Sequence, residues 1–509
     1  MTAVLLPAII AVLGAWLGFA NPFVQVPLAA LLLPVGLSLL ALSAGSGGAA
    51  FRRGLIVGGL AYAGGLYWIA LPIHDYGYLP WIVAVPCPLL LAAFIGLFSG
   101  AYTYVLKCCG RNLGPLTVGL LAGGLWGSLE WLREFFLTGF PWLSLASSLS
   151  AWPVLVQGAA YTGGIGLGAV LTAAAVWLIR GPGLFGPPRL AGIAVLAGLF
   201  LLGLFRLDQA PEPGPEAGIS VVQGNVDQSL KWDAAYQAAT VERYLSLSAG
   251  EVARHAPRLV VWPETAMPFY LQDVGELTAL VKGFAREHGV AVLTGAPAYF
   301  LKDPKAEPEL YNRAFLVGPE GSLAGYYDKT HLVPFGEYVP FRLSEFLPIG
   351  KLVQGVGDFR AGRQLAPLTA DGLAMGVLIC YETIFTELAQ ERVARGANVL
   401  VNISNDAWFG RSSAPRQHLQ LSVLRAVEQG RWLVRATNTG ISAFIDDRGR
   451  INEATALFVT TTAFHQVRLY SETTVFHRFY AAIRWGLPLA TLALALAGLA
   501  ARRRPAGRL

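Results

Sequence analysis

The sequence predicts an α-helical membrane region of eight spans that carries an inserted α/β domain. Mean hydropathy is +0.51 and only 14% of the residues are charged, against about 25% in a soluble domain. The charges are also unevenly placed, because residues 1–206 hold 8 Lys/Arg and 3 Asp/Glu, whereas residues 207–478 hold 25 and 29. This composition excludes a single soluble domain, a disordered chain and a collagen-like repeat.

The net charge of +6 does not belong to the inserted part, which sums to −4. We therefore expect no nucleic-acid partner. The 4 cysteines show neither a disulfide framework nor a CxxC metal spacing, and the 7 histidines are too scattered to form a ligand set. The sequence predicts neither a metal site nor a cofactor.

A helix needs about 20 apolar residues to cross a bilayer. Stretches of this kind cover residues 3–20, 26–44, 54–73, 79–106, 113–132, 158–179, 189–206 and 480–500. The first is expected to be a retained span and not a signal peptide, because no Lys or Arg precedes its apolar run. The predicted organisation is seven spans in residues 1–206, an α/β domain over 216–478, an eighth span over 480–500 and a basic tail over 501–509.

Lys and Arg in the short connections predict the orientation, since they favour the cytoplasmic side. In the eight-span arrangement ten of them, with no acidic residue, share one side. They are Arg52, Arg53, Lys107, Arg111, Arg180, Arg189, Arg502, Arg503, Arg504 and Arg508. Both termini are therefore expected in the cytoplasm and the α/β domain outside it.

Between residues 216 and 478, short apolar runs alternate with longer amphipathic ones, which is typical of an α/β domain. The predicted strands cover 218–223, 258–262, 290–295, 313–318, 374–379, 398–403 and 441–446. The predicted helices cover 233–253, 275–288, 384–395 and 416–430. Several strands are apolar at nearly every position, so helices should cover the sheet, and ligands should bind where these strands end.

Reactive groups occur at three of these strand ends and loops. Glu264 follows a buried strand, a loop holds Lys329 and Glu337 eight residues apart, and Cys380 leaves a strand just before a predicted helix. A helix N-terminus and a nearby cation favour a thiolate there. Each residue alone has an ordinary structural interpretation, as a turn carboxylate, a solvated lysine or a small buried cysteine. Together they fit a base, a cationic stabiliser and a nucleophile.

These residues resemble the Glu-Lys-Cys triad of the nitrilase (carbon–nitrogen hydrolase) superfamily. The matching motifs are Trp262-Pro263-Glu264, Tyr327-Asp328-Lys329, Pro334-Phe335-Gly336-Glu337, Cys380-Tyr381-Glu382 and Asn402-Ile403-Ser404-Asn405-Asp406-Ala407-Trp408-Phe409. Within that superfamily, a domain inserted between seven spans and one is similar to the apolipoprotein N-acyltransferase family over essentially the whole chain. The resemblance implies an αββα sandwich on an eight-helix membrane base.

The resemblance also implies roles for individual residues. Cys380 would be the nucleophile, Glu264 the general base and Lys329 the stabiliser of thiolate and oxyanion, with Glu337 orienting Lys329. The backbone N–H of Tyr381 would serve the oxyanion hole. Other matched positions, which would shape the site or contact lipid, are Tyr381, Glu382, Trp232 and Trp408.

That family transfers a fatty acyl chain from a membrane phospholipid to the α-amino group of a lipoprotein's diacylglyceryl-cysteine. The resemblance therefore implies a phospholipid donor, a diacylglyceryl-modified apolipoprotein acceptor and a thioester on Cys380, which predicts ping-pong kinetics. It places the chain in a bacterial inner membrane with the α/β domain in the periplasm. We expect it to act as a monomer, in contact with membrane lipid and without cofactor or metal.

Two loops of the α/β domain, 267–271 and 341–353, are unusually apolar. Both loops, the second with Phe346 and Leu352, are predicted to dip towards the bilayer and open to admit lipid. The alternative is ordinary packing of the domain against the membrane region.

Two other functions remain open. A membrane-tethered nitrilase-type amide hydrolase would use the same three residues with water as the acceptor, although a small soluble substrate needs no spans. A channel or transporter with an accessory domain would need charges inside the spans, whereas the charges of residues 1–206 fit span ends and loops.

Overall fold

The computed structural model describes residues 2–180, 183, 185–210, 213–229, 231–303, 305, 307–340 and 358–503. The helices of the membrane region are α1 (Thr2–Gly18), α2 (Leu32–Leu42), α3 (Gly47–Leu66), α4 (Ala70–Asp75), α5 (Trp81–Ala84), α6 (Pro86–Gly110), α7 (Pro115–Arg133), α8 (Leu145–Leu149), α9 (Pro153–Val156), α10 (Ala159–Arg180), α11 (Pro187–Asp208) and α17 (Tyr480–Arg503).

Within the described residues, five helical stretches are long and apolar enough to span a membrane, not eight. They are Gly47–Asp75, Trp81–Gly110, Ala159–Arg180, Pro187–Asp208 and Tyr480–Ala501. The predicted spans 3–20 and 26–44 hold shorter apolar helices, Ala3–Gly18 and Pro27–Leu42. The predicted span 113–132 matches α7, whose last turn carries a buried Glu130 and Arg133.

The α/β domain contains two six-stranded sheets. Its strands are β1 (Glu216–Gln223), β2 (Leu259–Val261), β3 (Ala291–Phe300), β4 (Glu309–Val317), β5 (Leu323–Asp328), β6 (Leu368–Ala370), β7 (Leu373–Ile379), β8 (Val399–Ser404), β9 (Leu433–Thr437), β10 (Ala443–Ile445), β11 (Ile451–Ala454) and β12 (Thr461–Arg468). The first sheet has the order β12-β1-β2-β3-β4-β5 and the second has β11-β10-β9-β8-β7-β6. The three central strands of each run parallel, β1 to β3 and β7 to β9.

Alternation along the strands builds the layers of the domain. In β2, Leu259 and Val261 face the second sheet while Val260 faces the helices of the first sheet; in β7, Val377 packs between the sheets while Leu378 faces the helices on the other side. The helices are α12 (Ala234–His255), α13 (Glu276–His288), α14 (Thr386–Ala394), α15 (Ala414–Gln429) and the short α16 (Val475–Arg478). The domain is therefore a helix–sheet–sheet–helix sandwich, as predicted for the nitrilase-like fold.

Candidate active site

Glu264 lies at the carboxyl end of β2, just after Pro263. Its side chain is 8% exposed. Oε1 accepts a hydrogen bond from Asn312 Nδ2 at 2.7 Å, and Oε2 accepts one from the backbone N–H of Asn405 at 2.9 Å. Neutral donors from both sheets thus fix the orientation of this carboxylate.

Lys329 follows β5 directly, and its side chain is only 1% exposed. Its Nζ lies 3.0 Å from the carboxylate of Glu337 and 3.4 Å from Oε1 of Glu264. Burial alone would lower the pKa of Lys329, but Glu337 and Glu264 together raise it above its ordinary value. The side chain is therefore an ammonium at neutral pH, held between two carboxylates.

Cys380 follows β7 and begins a five-residue 3-10 turn, Cys380–Ile384. Its φ of +52° lies in the left-handed region that non-glycine residues rarely adopt. Burial raises the pKa of the Cys380 thiol and the charge of Glu264 raises it further, while Lys329 offsets only part of the effect. The expectation of a thiolate favoured by a helix N-terminus is wrong, because the turn is too short to supply a helix dipole and burial dominates.

Glu382 connects the loop after β5 to the end of β7. It is fully buried, and its Oε2 accepts from the backbone N–H of Ile379 at 2.7 Å. Its Oε1 accepts from Tyr327 Oη at 2.6 Å, from the Thr330 backbone N–H at 2.7 Å and from the His331 backbone N–H at 3.1 Å. The residue two positions after Cys380 thus holds the loop that carries Lys329.

Tyr381 turns towards the membrane region, where its Oη donates to the backbone oxygen of Gly139 at 3.0 Å. Its ring packs against Phe385 and faces His331, with ring centroids 5.2 and 5.8 Å apart. The side chain of Tyr381 therefore separates Cys380 from the connection after α7.

Two of the four predicted lipid-contact residues, Trp232 and Trp408, lie further out. Trp232 lines a separate pocket with Phe269 and Tyr270. Trp408 packs edge-on against Tyr76 of the membrane region, with ring centroids 4.8 Å apart. The other two, Phe346 and Leu352, lie outside the described residues.

Two residues close to the predicted site were not predicted. Asn312, in β4, donates through Nδ2 to Glu264 at 2.7 Å and to Glu337 at 2.9 Å, and so sets the spacing of the two carboxylates. Lys231 is 2% exposed and donates to Thr265 Oγ1 at 2.7 Å. Burial lowers the pKa of Lys231 to about 7. In the sequence, the only indications of these two residues are that Asn312 is a polar residue inside a strand and that Lys231 is a lysine beside Trp232.

Comparison with known proteins agrees with this architecture. The model of the carbon-nitrogen hydrolase family matches residues 218–473, and that of the apolipoprotein N-acyltransferase N-terminal domain matches residues 13–177.

Three relatives are similar over most of their length, and each is named apolipoprotein N-acyltransferase. The chain is 41% identical to that of Geobacter metallireducens over 466 residues, covering 89% of this chain and 88% of that protein. It is 39% identical to that of Azotobacter vinelandii, covering 97% and 94%, and 34% identical to that of Nitrosomonas europaea, covering 96% of each. The chain therefore belongs to the apolipoprotein N-acyltransferase family, a membrane branch of the carbon–nitrogen hydrolases.

Proposed function

We propose that the chain transfers a fatty acyl chain from a membrane phospholipid to the α-amino group of an apolipoprotein's diacylglyceryl-cysteine, through a thioester on Cys380. One observation carries the proposal. The Lys329 ammonium lies 3.4 Å from the Glu264 carboxylate, and both act electrostatically on the buried Cys380 thiol. These are the groups that acyl transfer through a thioester requires, and the names of the relatives supply the substrate class.

The first half of the reaction loads the enzyme. Glu264 takes the proton of the Cys380 thiol, and the sulfur attacks the ester carbonyl carbon of the phospholipid. Charge develops on the carbonyl oxygen, where the Lys329 ammonium and the Tyr381 backbone N–H serve as donors, each worth about 10²–10³ in rate. The ester C–O bond then breaks, the lysophospholipid oxygen takes the proton from Glu264, and a thioester remains.

The second half unloads the enzyme. The acceptor's amine gives a proton to Glu264 while its nitrogen attacks the thioester carbonyl carbon. The C–S bond breaks, the sulfur of Cys380 recovers the proton, and an amide is released. Because one carboxylate serves both halves, the lysophospholipid leaves before the acceptor reacts, which gives ping-pong kinetics.

The proposal places the chain in a bacterial inner membrane as a monomer with cytoplasmic termini and a periplasmic α/β domain. It reaches eight spans by adding α7 and the shorter helices Ala3–Gly18 and Pro27–Leu42 to the five long ones. The distribution of Lys and Arg supports this orientation. A cleft of about 1230 Å³ beside the Lys329 loop supports a bulky lipid substrate, since its lining includes Thr138 of the membrane region together with His331, Tyr338 and Phe359.

Intact-mass spectrometry tests the proposal directly. Purified protein is incubated with a phospholipid of defined acyl chains, beside a Cys380→Ala variant. We expect a mass increment of one acyl chain on the wild type, its absence from the variant, and its transfer to a diacylglyceryl-cysteine peptide as an N-acyl product.

The same experiment separates the transferase from the tethered hydrolase. Water as the acceptor would release free fatty acid and leave the peptide unmodified. If no phospholipid loads the protein while a small amide is hydrolysed, the transferase proposal is overturned.

A further inference from the structure

A buried polar network behind Cys380 plays no part in the reaction scheme. His418 of α15 is 1% exposed, and Arg435 of β9 and Asp406 are fully buried. Arg435 Nη2 lies 2.7 Å from Asp406 Oδ2 and 2.9 Å from His418 Nδ1. At its other end, His418 Nε2 lies 3.1 Å from the backbone oxygen of Cys380. The network therefore ends on the carbonyl of the proposed nucleophile.

The partners of His418 assign the position of its proton. A carbonyl oxygen only accepts, so Nε2 must carry the hydrogen that it donates to Cys380. Arg435 is purely a donor and faces Nδ1, which accepts. Burial and the charge of Arg435 lower the pKa of His418, so the ring is neutral with its hydrogen on Nε2. Asp406 Oδ1, 3.2 Å from Nδ1, accepts instead from Ser404 Oγ at 2.7 Å.

The carbonyl of Cys380 accepts from side chains and not from the neighbouring strand. It lies beyond the last ladder pair of β7 with β8, Ile379 with Ile403. The φ of +52° at Cys380 is a strained conformation that persists only where its surroundings impose it. A second side-chain donor near this oxygen is Asn402 Nδ2, at a longer 3.4 Å.

The membrane region fixes the same imidazole from outside the domain. Trp142, in the connection after α7, packs on His418 with ring centroids 5.3 Å apart. Its Nε1 donates to Oε1 of Gln417, the neighbour of His418, at 2.7 Å. The imidazole thus lies between a membrane-region tryptophan and the Arg435 guanidinium.

We propose that His418 is a positioning residue. Its Nε2–H, held in place by Arg435 and Trp142, fixes the carbonyl of Cys380 and with it the direction of the thiol. The inference rests on the proposed function only for the role of Cys380 as nucleophile.

The test compares two substitutions in the full-length protein. His418→Gln keeps a donor, because the amide nitrogen of glutamine reaches the position of the imidazole Nε2; His418→Leu has similar bulk without a donor. The readout is the rate of Cys380 alkylation by iodoacetamide, followed by peptide mass spectrometry so that the other three cysteines do not interfere. Phospholipid turnover is measured alongside.

We expect His418→Leu to slow alkylation and to lower kcat by about tenfold or more, with KM for phospholipid changed less than twofold. His418→Gln should stay within about threefold of the wild type in both. Equal rates in all three proteins would overturn the proposal, and so would equal losses in both variants, since keeping the donor would then make no difference.

Where His418→Leu fails to fold, His418→Asn replaces it. The shorter amide reaches the position of Nδ1 but not that of Nε2, so slow alkylation is again expected, and a wild-type rate would overturn the proposal. Alkylation needs no lipid. A wild-type protein that is alkylated but never acylated by phospholipid would therefore overturn the proposed function alone.

Discussion

The two sheets of the α/β domain meet the membrane region in different ways. The half of the domain that is built on the second sheet forms many hydrogen bonds to the membrane region. Gln417 alone accepts from the indole nitrogens of Trp68 and Trp142 and donates to the backbone oxygens of Ala20 and Gly65. Further residues of this half that bond the membrane region are Tyr381, Thr386, Ser413, Gln420 and Arg448. In the first half, the loop after β5 contacts it at His331, which is hydrogen-bonded to the backbone of Thr138.

The proposed nucleophile belongs to the half that is fastened to the membrane region, whereas Glu264 and Lys329 belong to the other half. The membrane contacts therefore set the position of Cys380, and packing between the two sheets brings the base and the ammonium to it. Substitutions on the two sides should separate chemistry from anchoring.

The largest effect is expected from Glu264→Gln, on the first-sheet side. The amide keeps the shape of the carboxylate but cannot take the thiol proton, so acyl loading of Cys380 should fall by about 10²–10⁴. Loading is measured by intact mass against time. Glu276→Gln, at the exposed start of α13, is the matched control and should load at the wild-type rate. A Glu264→Gln protein that loads normally would contradict the assignment of the base.

Gln417→Leu tests the anchoring side. The substitution removes four hydrogen bonds and leaves two buried indole N–H groups unpaired, so we expect a loss of about 2–4 kcal/mol in the free energy of unfolding. Denaturation in detergent measures it. Gln420→Leu, whose amide bonds Gln25 in a half-buried setting, should cost less than about 1 kcal/mol. Equal losses in the two variants would remove the contrast between the halves.

Asn312→Leu tests how the first half spaces its charges. Without the amide, Glu264 and Glu337 each lose a donor, at 2.7 and 2.9 Å, and their carboxylates are free to shift around Lys329. We expect kcat for phospholipid to fall about tenfold, while the anchoring contacts are untouched. Unchanged turnover would show that the remaining contacts order the carboxylates without Asn312.

The last effect is a pH dependence from Lys231. Its pKa of about 7 in the folded chain lies below the unfolded value of about 10.4. The unfolded chain therefore binds more protons between pH 7 and 10, and the free energy of unfolding rises with pH there, by at most about 1.4 kcal/mol per pH unit. The Tm of the wild type should rise more from pH 7 to 9 than that of Lys231→Met. Parallel curves would contradict the assignment of a neutral lysine.

Strands buried on both faces were the predictable part of the fold. β2 and β7 are apolar at almost every position, and the reactive residues follow them in the chain. The sequence alone therefore predicts that Glu264 and Cys380 lie at strand ends. All four predicted helices of the domain are present, each within two residues at either end. The αββα arrangement came from the family resemblance.

The strands that the sequence missed are those with polar residues in them. β12 mixes threonines, His465 and Arg468 with apolar residues because it is an edge strand, and it pairs with β1, more than 200 residues away in the chain. β9 carries Arg435, whose burial makes sense only beside Asp406, on a different element. The same limit hid Asn312 and the raised pKa of Cys380, since both depend on contacts between distant segments. Fewer long spans than predicted are found among the described residues, because two of the apolar stretches fold as the shorter helices Ala3–Gly18 and Pro27–Leu42 and α7 ends with Glu130 and Arg133.

The hydrogen bonds of Glu382 have a consequence for the folding of the α/β domain. Glu382 accepts hydrogen bonds from the end of β7 and from the loop after β5, and the bonds from that loop form only once the two sheets have docked. Until then Cys380 has neither base nor ammonium beside it. Under the proposed function, a chain whose sheets have not yet docked therefore cannot use Cys380 to attack the surrounding phospholipid.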